Sequence, residues 1–498
     1  MDATTERPLF ALVTFRDLFL SANNVQPNIP DTPDNYSHFN FGGGGDTFST
    51  PLALCCFVVA LVLICVLPRK YAVVPLLIAG LLIPVDHQIV ITGLHFMLYR
   101  VLIAGGLLRI ICASLSLQHF PVRVTLVDKC VVGWALCDAI AFTLRFHQMG
   151  ALTNRLGFLY TNLGAYIVLR YLIRDREDVV RTIKALIAIA IVIAPVMAWE
   201  HFFGRNILAA VIGGSRLYPV IRDGHIRAQG PFSISIIAGT FGAVLLPLCV
   251  GLYWQGKRNR AIAALGIVCC TIITLASSSS TPVLTYGAAV LALTAWMLRR
   301  HLRLLRRGAL ASLILLNLVM KAPVWFLMNR ATALTGGAGS GFHRAELIDA
   351  FVRRFGEWWL VGTSNNVNWG IDMWDTVNAY VRAGVEGGLL TFILFLAIQI
   401  YSYKLIGVSR NKAANSERDA RLIWALGAAL FTNNAAFFGI IYFDQSVLAW
   451  YALLAMICAA PAFIARGPAA PLRHSRTGDL KELVYIHGDA VPTHAARV

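Results

Sequence analysis

VVRTIKALIAIAIVIAPVMAWE, residues 179–200, decides the fold. From Ala185 to Trp199 it carries no charge, and a helix needs about 20 apolar residues to cross the hydrocarbon core of a bilayer. Residues 231–254, PFSISIIAGTFGAVLLPLCVGLYW, repeat the pattern with no charged residue at all. Working outward, runs of spanning length also fall at 51–68, 71–89, 92–117, 124–144, 151–173, 259–279, 281–298, 308–328, 379–403, 421–441 and 446–465. Thirteen runs predict an all-α polytopic membrane protein with about thirteen transmembrane helices.

Composition excludes the alternative of a water-soluble globule. Of the 498 residues 57% are hydrophobic and 14% charged, against about 25% charged in soluble domains, and the mean hydropathy is +0.65. The ten cysteines lie in or beside apolar runs and have no CxxC spacing, so they read as small core residues. The histidines form no HExxH or similar cluster, so neither metal nor other cofactor is expected. No nucleic-acid motif accompanies the net charge of 43 − 26 = +17.

That charge is largely an orientation signal. Connections on one side of the thirteen runs hold 27 of the 43 Lys and Arg, and those on the other side hold 12. Positive charge stays in the cytoplasm, which predicts an external N-terminal segment at 1–50, a transmembrane domain at 51–465 and a cytoplasmic tail at 466–498. The first fifty residues lack a basic start, an apolar core and a small-residue cleavage site, so no cleaved signal peptide is expected.

Two long external connections, 201–230 and 329–378, carry eight arginines where topology disfavours them. A guanidinium fork matches phosphate or carboxylate oxygens bidentately, so an anionic ligand at the external face is the expectation. The first loop closes with Arg216, Arg222, His225 and Arg227, then Gly230-Pro231-Phe232. A proline and free amides at a helix start favour an anion there, and Arg227 stands nearest the membrane. Lipid headgroups or helix caps are the alternative role for these arginines.

In the second loop, Phe342, Leu347, Phe351 and Phe355 mark one side of an amphipathic helix framed by Gly341 and Gly356, with His343, Arg344, Glu346 and Asp349 largely elsewhere. Such a helix suits either the outer membrane surface beside a lipid-bound substrate or an ordinary solvated face. Trp358, Trp359, Trp369 and Trp374 then alternate with Asn365, Asn366, Asn368, Asp372, Asp375 and Asn378. Aromatic faces with amides and carboxylates fit sugar binding; a headgroup-level tryptophan belt fits the same pattern. Asp375, just before the next span, serves either as a general base or as a helix cap. Arg382 and Glu386 stand four apart and neutralise each other within that span. Lys321 snorkels outward, and Asp138 has no partner legible in the sequence. Neither Gly42–Gly45 nor Gly336–Gly341 leads into Lys-Ser/Thr, so a phosphate-cradling P-loop is excluded.

These residues resemble the bacterial O-antigen ligases and polysaccharide polymerases, membrane glycosyltransferases that act on undecaprenyl-diphosphate-linked glycans. The resemblance covers about 215–400 and rests on Arg227-Ala-Gln-Gly230-Pro-Phe232, the Ser277–Ser280 turn, the Gly-x-x-Arg element ending at Arg344, Trp359-Leu-Val-Gly362-Thr363, and Asn378-Ala-Tyr380 followed by Glu386-Gly387-Gly388. Two departures stand out: Val377 where ligases carry a histidine, and Thr281-Pro282 where an arginine often follows the serine turn. The missing histidine favours the polymerase members, with Asp375 or His343 taking the polar role.

The resemblance implies a metal-independent C-type glycosyltransferase fold, with transfer at the outer face of the inner membrane. Arg227 and Arg344 would neutralise the diphosphate leaving group while Asp375 or His343 aligns or deprotonates the acceptor. Arg216, Arg222, Trp359, Asn378 and Glu386 would bind substrate. Expected partners are the lipid-linked glycan, a glycan acceptor, the membrane, and a chain-length regulator or export complex. The rival functions are an O-antigen ligase joining glycan to lipid A core, a transporter or flippase for an anionic lipid or solute, and a glycan-binding scaffold. Absence of an inverted repeat argues against a transporter.

Overall fold

The computed structural model describes residues 48–91, 94–115, 124–222, 224–335 and 338–465. The external segment expected at 1–50, apart from its last three residues, the Gly42–Gly45 run and the tail at 466–498 lie outside them. About 75% of the described residues are helical.

The bundle opens with α1 (Pro51–Val66), α2 (Arg69–Leu82) and α3 (Leu98–Leu115). It continues with α4 (Leu126–Phe146), α5 (Met149–Leu172), α6 (Arg176–Phe203) and the short α7 (Ile207–Val211). After these come α8 (Ser235–Tyr253), α9 (Lys257–Ala276), α10 (Ser280–Thr294) and α11 (Leu302–Val319). The second long connection folds into α12 (Leu327–Ala333), α13 (Ala338–Arg353) and α14 (Phe355–Trp358). The chain closes with α15 (Ala379–Lys412), α16 (Glu417–Ala436), α17 (Val447–Ala459) and α18 (Ala462–Ala465).

Side-chain oxygens start several of these helices by accepting backbone N–H groups that would otherwise be orphaned. Thr125 and Asp128 form a reciprocal capping box on α4, Asp175 caps α6 and Ser416 caps α16. The core centres on α8, which packs against α6, α9, α10 and α16, while α15 lies along α4. Within α15, Gly388 has φ 75° and breaks the helix; a left-handed residue there costs an L side chain about 1–2 kcal/mol.

The all-α expectation needs correction at two hairpins. β1 (Gln88–Ile91) pairs antiparallel with β2 (Leu94–Met97), inside the boundary between two expected spans. β3 (Val220–Arg222) pairs with β4 (His225–Arg227), setting Arg222 opposite His225. Each has β-branched residues in its first strand, a local preference that an apolar-run reading overlooks.

Each expected run carries a helix, yet among the described residues five are long and apolar enough to cross a membrane: α3, α6, α8, α9 and α15. A sixth joins them if α11 and the Val324–Ala333 segment, bent by 98°, form one span. The remaining apolar helices α1, α10 and α17 are only 16, 15 and 13 residues long. α4 carries Asp128, Lys129, Asp138 and Arg145. Lys321, read as intraspan, sits exposed in the break after α11.

Candidate active site

The Arg227–Ser233 segment is nailed into the bundle by two buried carboxylates. Glu200, fully buried at the end of α6, accepts the Gln229 N–H at 3.1 Å and the Gly230 N–H at 2.9 Å. Asp444 accepts the Ser233 hydroxyl at 2.7 Å. Asn206 and Ser215 both donate to the Gly230 carbonyl, at 2.8 and 3.1 Å. The expected helix start at Pro231 moves to Ser235, and the amides of Gln229, Gly230 and Ser233 before it serve Glu200 and Asp444. What the segment presents is Arg227 itself, whose guanidinium donates from Nε (3.2 Å) and from a terminal nitrogen to Ser279 Oγ. The serine turn and Arg227, 52 residues apart, thus meet as one unit.

Arg344 comes in from α13. The helix approaches α12 closely because Gly341 lacks a side chain: a Cβ there would stand 2.9 Å from the Asn329 Cα and overlap Thr332. Gly341 is thus a packing position inside α13, whereas the sequence suggested a frame. Arg344 is 5% exposed and donates to Ser340 Oγ at 3.3 Å. Among the described residues its buried Nε has no hydrogen-bond partner, and no carboxylate reaches it within 4 Å. Space for it exists because Gly439 has no Cβ, which would lie 3.2 Å from Nε. The side chain lines a cavity of about 70 Å³ with Thr281, Thr285, Met328, Thr332 and Phe438 among its walls. Burial, and then the like charges of Arg222 and Arg227, push the Arg344 guanidinium down to about 10, with Asp375 acting in the opposite sense.

Asp375 sits on the exposed loop before α15. Partial burial raises its carboxyl above the usual range, although His343, Arg344 and Arg382 pull it back, and the neighbouring Asp372 adds to the rise. Electrostatically, then, Arg222, Arg227, His343, Arg344 and Asp375 act on one another across three segments of chain. Among the described residues no group of His, Cys, Asp and Glu is placed to hold a metal ion.

Other expected residues take different places. Arg216 is exposed and acts on Asp86, whose carboxyl burial raises; it is not among the charges felt by Arg344. Asn378, expected to bind substrate, is 1% exposed and caps α15: Oδ1 accepts from the Tyr380 and Val381 amides at 2.9 and 3.2 Å, and Nδ2 donates to the Phe438 carbonyl at 3.3 Å. The cap is therefore Asn378, and Asp375 is left facing the arginines. Trp358 and Trp369 are core residues at 3% and 7% exposure, with their indole N–H groups held by the Phe351 carbonyl and Glu357. Of the tryptophans in this loop, Trp359 and Trp374 remain exposed. The expected apolar helix face divides likewise: Leu347 and Phe351 of α13 are buried, while Phe342 of α13 and Phe355 of α14 are exposed.

Glu386 accepts from Arg382 Nε at 2.8 Å, the pair read from the sequence, and from Arg155 at 3.4 Å. Arg155 also reaches Asp138 at 2.8 Å, supplying the partner that sequence spacing could not name. Beside them Arg145 donates to the carbonyls of Thr363, Val385 and Glu386 at 3.2, 2.6 and 3.3 Å, tying the Gly362-Thr363 loop to the break in α15. Glu386 thus belongs to a structural ion network. Glu200, Asp444, Arg145 and Arg155 escaped the sequence reading of the site; the available signal was a charged side chain at the end of, or inside, an apolar run.

No protein-family model matches the chain, and no curated protein matches it.

Proposed function

We propose that this chain is a lipid-linked oligosaccharide glycosyltransferase, of polymerase type, working at the external face of the bacterial inner membrane with about thirteen spans, its N-terminus outside and C-terminus in the cytoplasm. The observation that carries this reading is Arg344: a buried guanidinium with no carboxylate partner among the described residues, lining a cavity, with Arg222 and Arg227 within electrostatic reach and Asp375 acting on it from the loop before α15. Desolvated cations in such a cluster are stabilised by an external anion, and a lipid diphosphate supplies one.

In the proposed step the acceptor hydroxyl attacks the anomeric carbon of the donor glycan, the bond from that carbon to the phosphate oxygen breaks, and undecaprenyl diphosphate departs. Arg227 and Arg344 stabilise the charge growing on the diphosphate. Asp375, its proton affinity raised by partial burial, takes the hydroxyl proton, with His343 beside it. Trp359 and Trp374 offer exposed ring faces to the sugar. Guanidinium groups fill the part a metal ion would play, so activity is expected to survive chelation.

Reconstitution of the full-length protein with a lipid-linked oligosaccharide tests the reading. New glycosidic bonds support it; movement of the lipid across the vesicle without bond formation would replace it with a transporter.

A further inference from the structure

At the ends of α8 and α10 opposite to those that follow Arg227 and Ser279, three tryptophans gather where α8, α10 and α15 end and α16 begins. The Trp254 and Trp296 rings lie 6.4 Å apart and the Trp296 and Trp424 rings 5.5 Å apart. Trp424 is fixed by donating its indole N–H to the Ala292 carbonyl at 3.0 Å. Arg299 stacks over Trp296 at 4.4 Å, and Arg410 over Trp424 at 5.7 Å. Both arginines are half-buried.

Their surroundings are short of negative charge. The charges that Arg410 feels are those of Arg306 and Arg299, all of one sign. No described carboxylate comes within 4 Å of any of the three; the nearby Glu417 pairs with Arg421. Holding the partly dehydrated Arg299 and Arg410 near the exposed Arg306 is unfavourable without a counter-ion. Next to them α11 has no buried residue, and Leu304, Leu310, Leu313, Leu315 and Leu318 are all exposed.

We infer that this end of the bundle binds an anionic phospholipid, its phosphate seated among Arg299, Arg306 and Arg410 and its acyl chains lying on the apolar surface of α11. The Trp trio sets the depth, since indoles rest at the level of the headgroups, and basic pockets between helices select anionic lipids. The apolar surface argues for a lipid over a free phosphate. The site is independent of the proposed transferase chemistry.

The test uses full-length protein, stripped of lipid in a neutral detergent and titrated with dioleoylphosphatidylglycerol or dioleoylphosphatidylcholine under native mass spectrometry. The wild type should prefer the anionic lipid. The triple variant Arg299→Gln/Arg306→Gln/Arg410→Gln should bind it roughly a hundredfold more weakly, at about fivefold per arginine. Neutralising the exposed Lys70, Lys257 and Arg258 instead should leave binding unchanged. If the triple variant does not remain monodisperse, Arg410→Gln alone should show the fivefold loss. Equal binding by wild type and the Arg299/Arg306/Arg410 variants, equal binding of the zwitterionic lipid, or displacement of the lipid by millimolar inorganic phosphate would each overturn the inference.

Discussion

Glu200 and Gly230 are joined through a single buried contact, the Gly230 N–H donating to Glu200 Oε2 at 2.9 Å. With the companion bond from Gln229 at 3.1 Å, it fixes the turn three residues past Arg227 against the end of α6. Gly230 adopts φ 56° there, so the direction in which Arg227 leaves the bundle depends on a carboxylate 27 residues earlier in the chain.

Glu200→Gln should therefore loosen the turn. Gln keeps one acceptor but turns an NH₂ towards a backbone N–H, and leaving a buried hydrogen-bonding group unsatisfied costs about 1–3 kcal/mol. The expected outcome is a lower melting temperature in detergent together with reduced activity; an unchanged melting temperature would contradict the role assigned to Glu200.

For the arginines themselves, Arg344→Lys and Arg227→Lys keep a point charge but lose the fork, and should lower turnover more than substrate affinity. The Ala variants should fall further, by about 10²- to 10³-fold in rate, measured as polymer formed per folded protein in a strain lacking the native copy. Because Arg344 is pushed down to about 10, it is charged throughout the neutral range, and binding of the lipid diphosphate should weaken as pH rises through about 10. Near-normal polymer from both Ala variants would remove the diphosphate assignment.

A proton-accepting Asp375 works only when ionised, so the rate should rise with pH through its folded-state pKa. Burial raises that value, which places the ascending limb above the ordinary carboxylate range. Asp375→Asn keeps size and most hydrogen bonding and should abolish transfer; normal polymer from this variant would pass the base role to His343.

The ion network of α4, α5 and α15 makes a separate prediction about stability. Arg155 and Asp138 have side chains 6% and 3% exposed and meet at 2.8 Å. Arg155→Met alone strands Asp138 and should cost about 3–5 kcal/mol, whereas the double variant Arg155→Met/Asp138→Leu should recover much of it. Arg155 also contacts Glu386 at 3.4 Å, so recovery should be incomplete. Additive losses in thermal denaturation would show that the pair is not coupled.

Fixed in the sequence was the physics of single segments. An uncharged run such as Ala185–Trp199 must leave water, the Arg382–Glu386 spacing places two charges on one helix face, and arginines in polar connections announce themselves by type. Those properties depend on neighbours within a turn or two of helix. Only the tertiary structure decided which residues share a site. Ser279 meets Arg227 because α8, α9 and α10 pack together, and Arg344 settles in the space left by Gly439 because α13 is held against α12 and α15, not because of any local spacing. It also separated residues that look alike along the chain. Asn378 spends its amide capping α15 and Trp358 lies in the core, while Asp375 and Trp359 remain exposed, because burial is a property of the assembled surface and not of residue type.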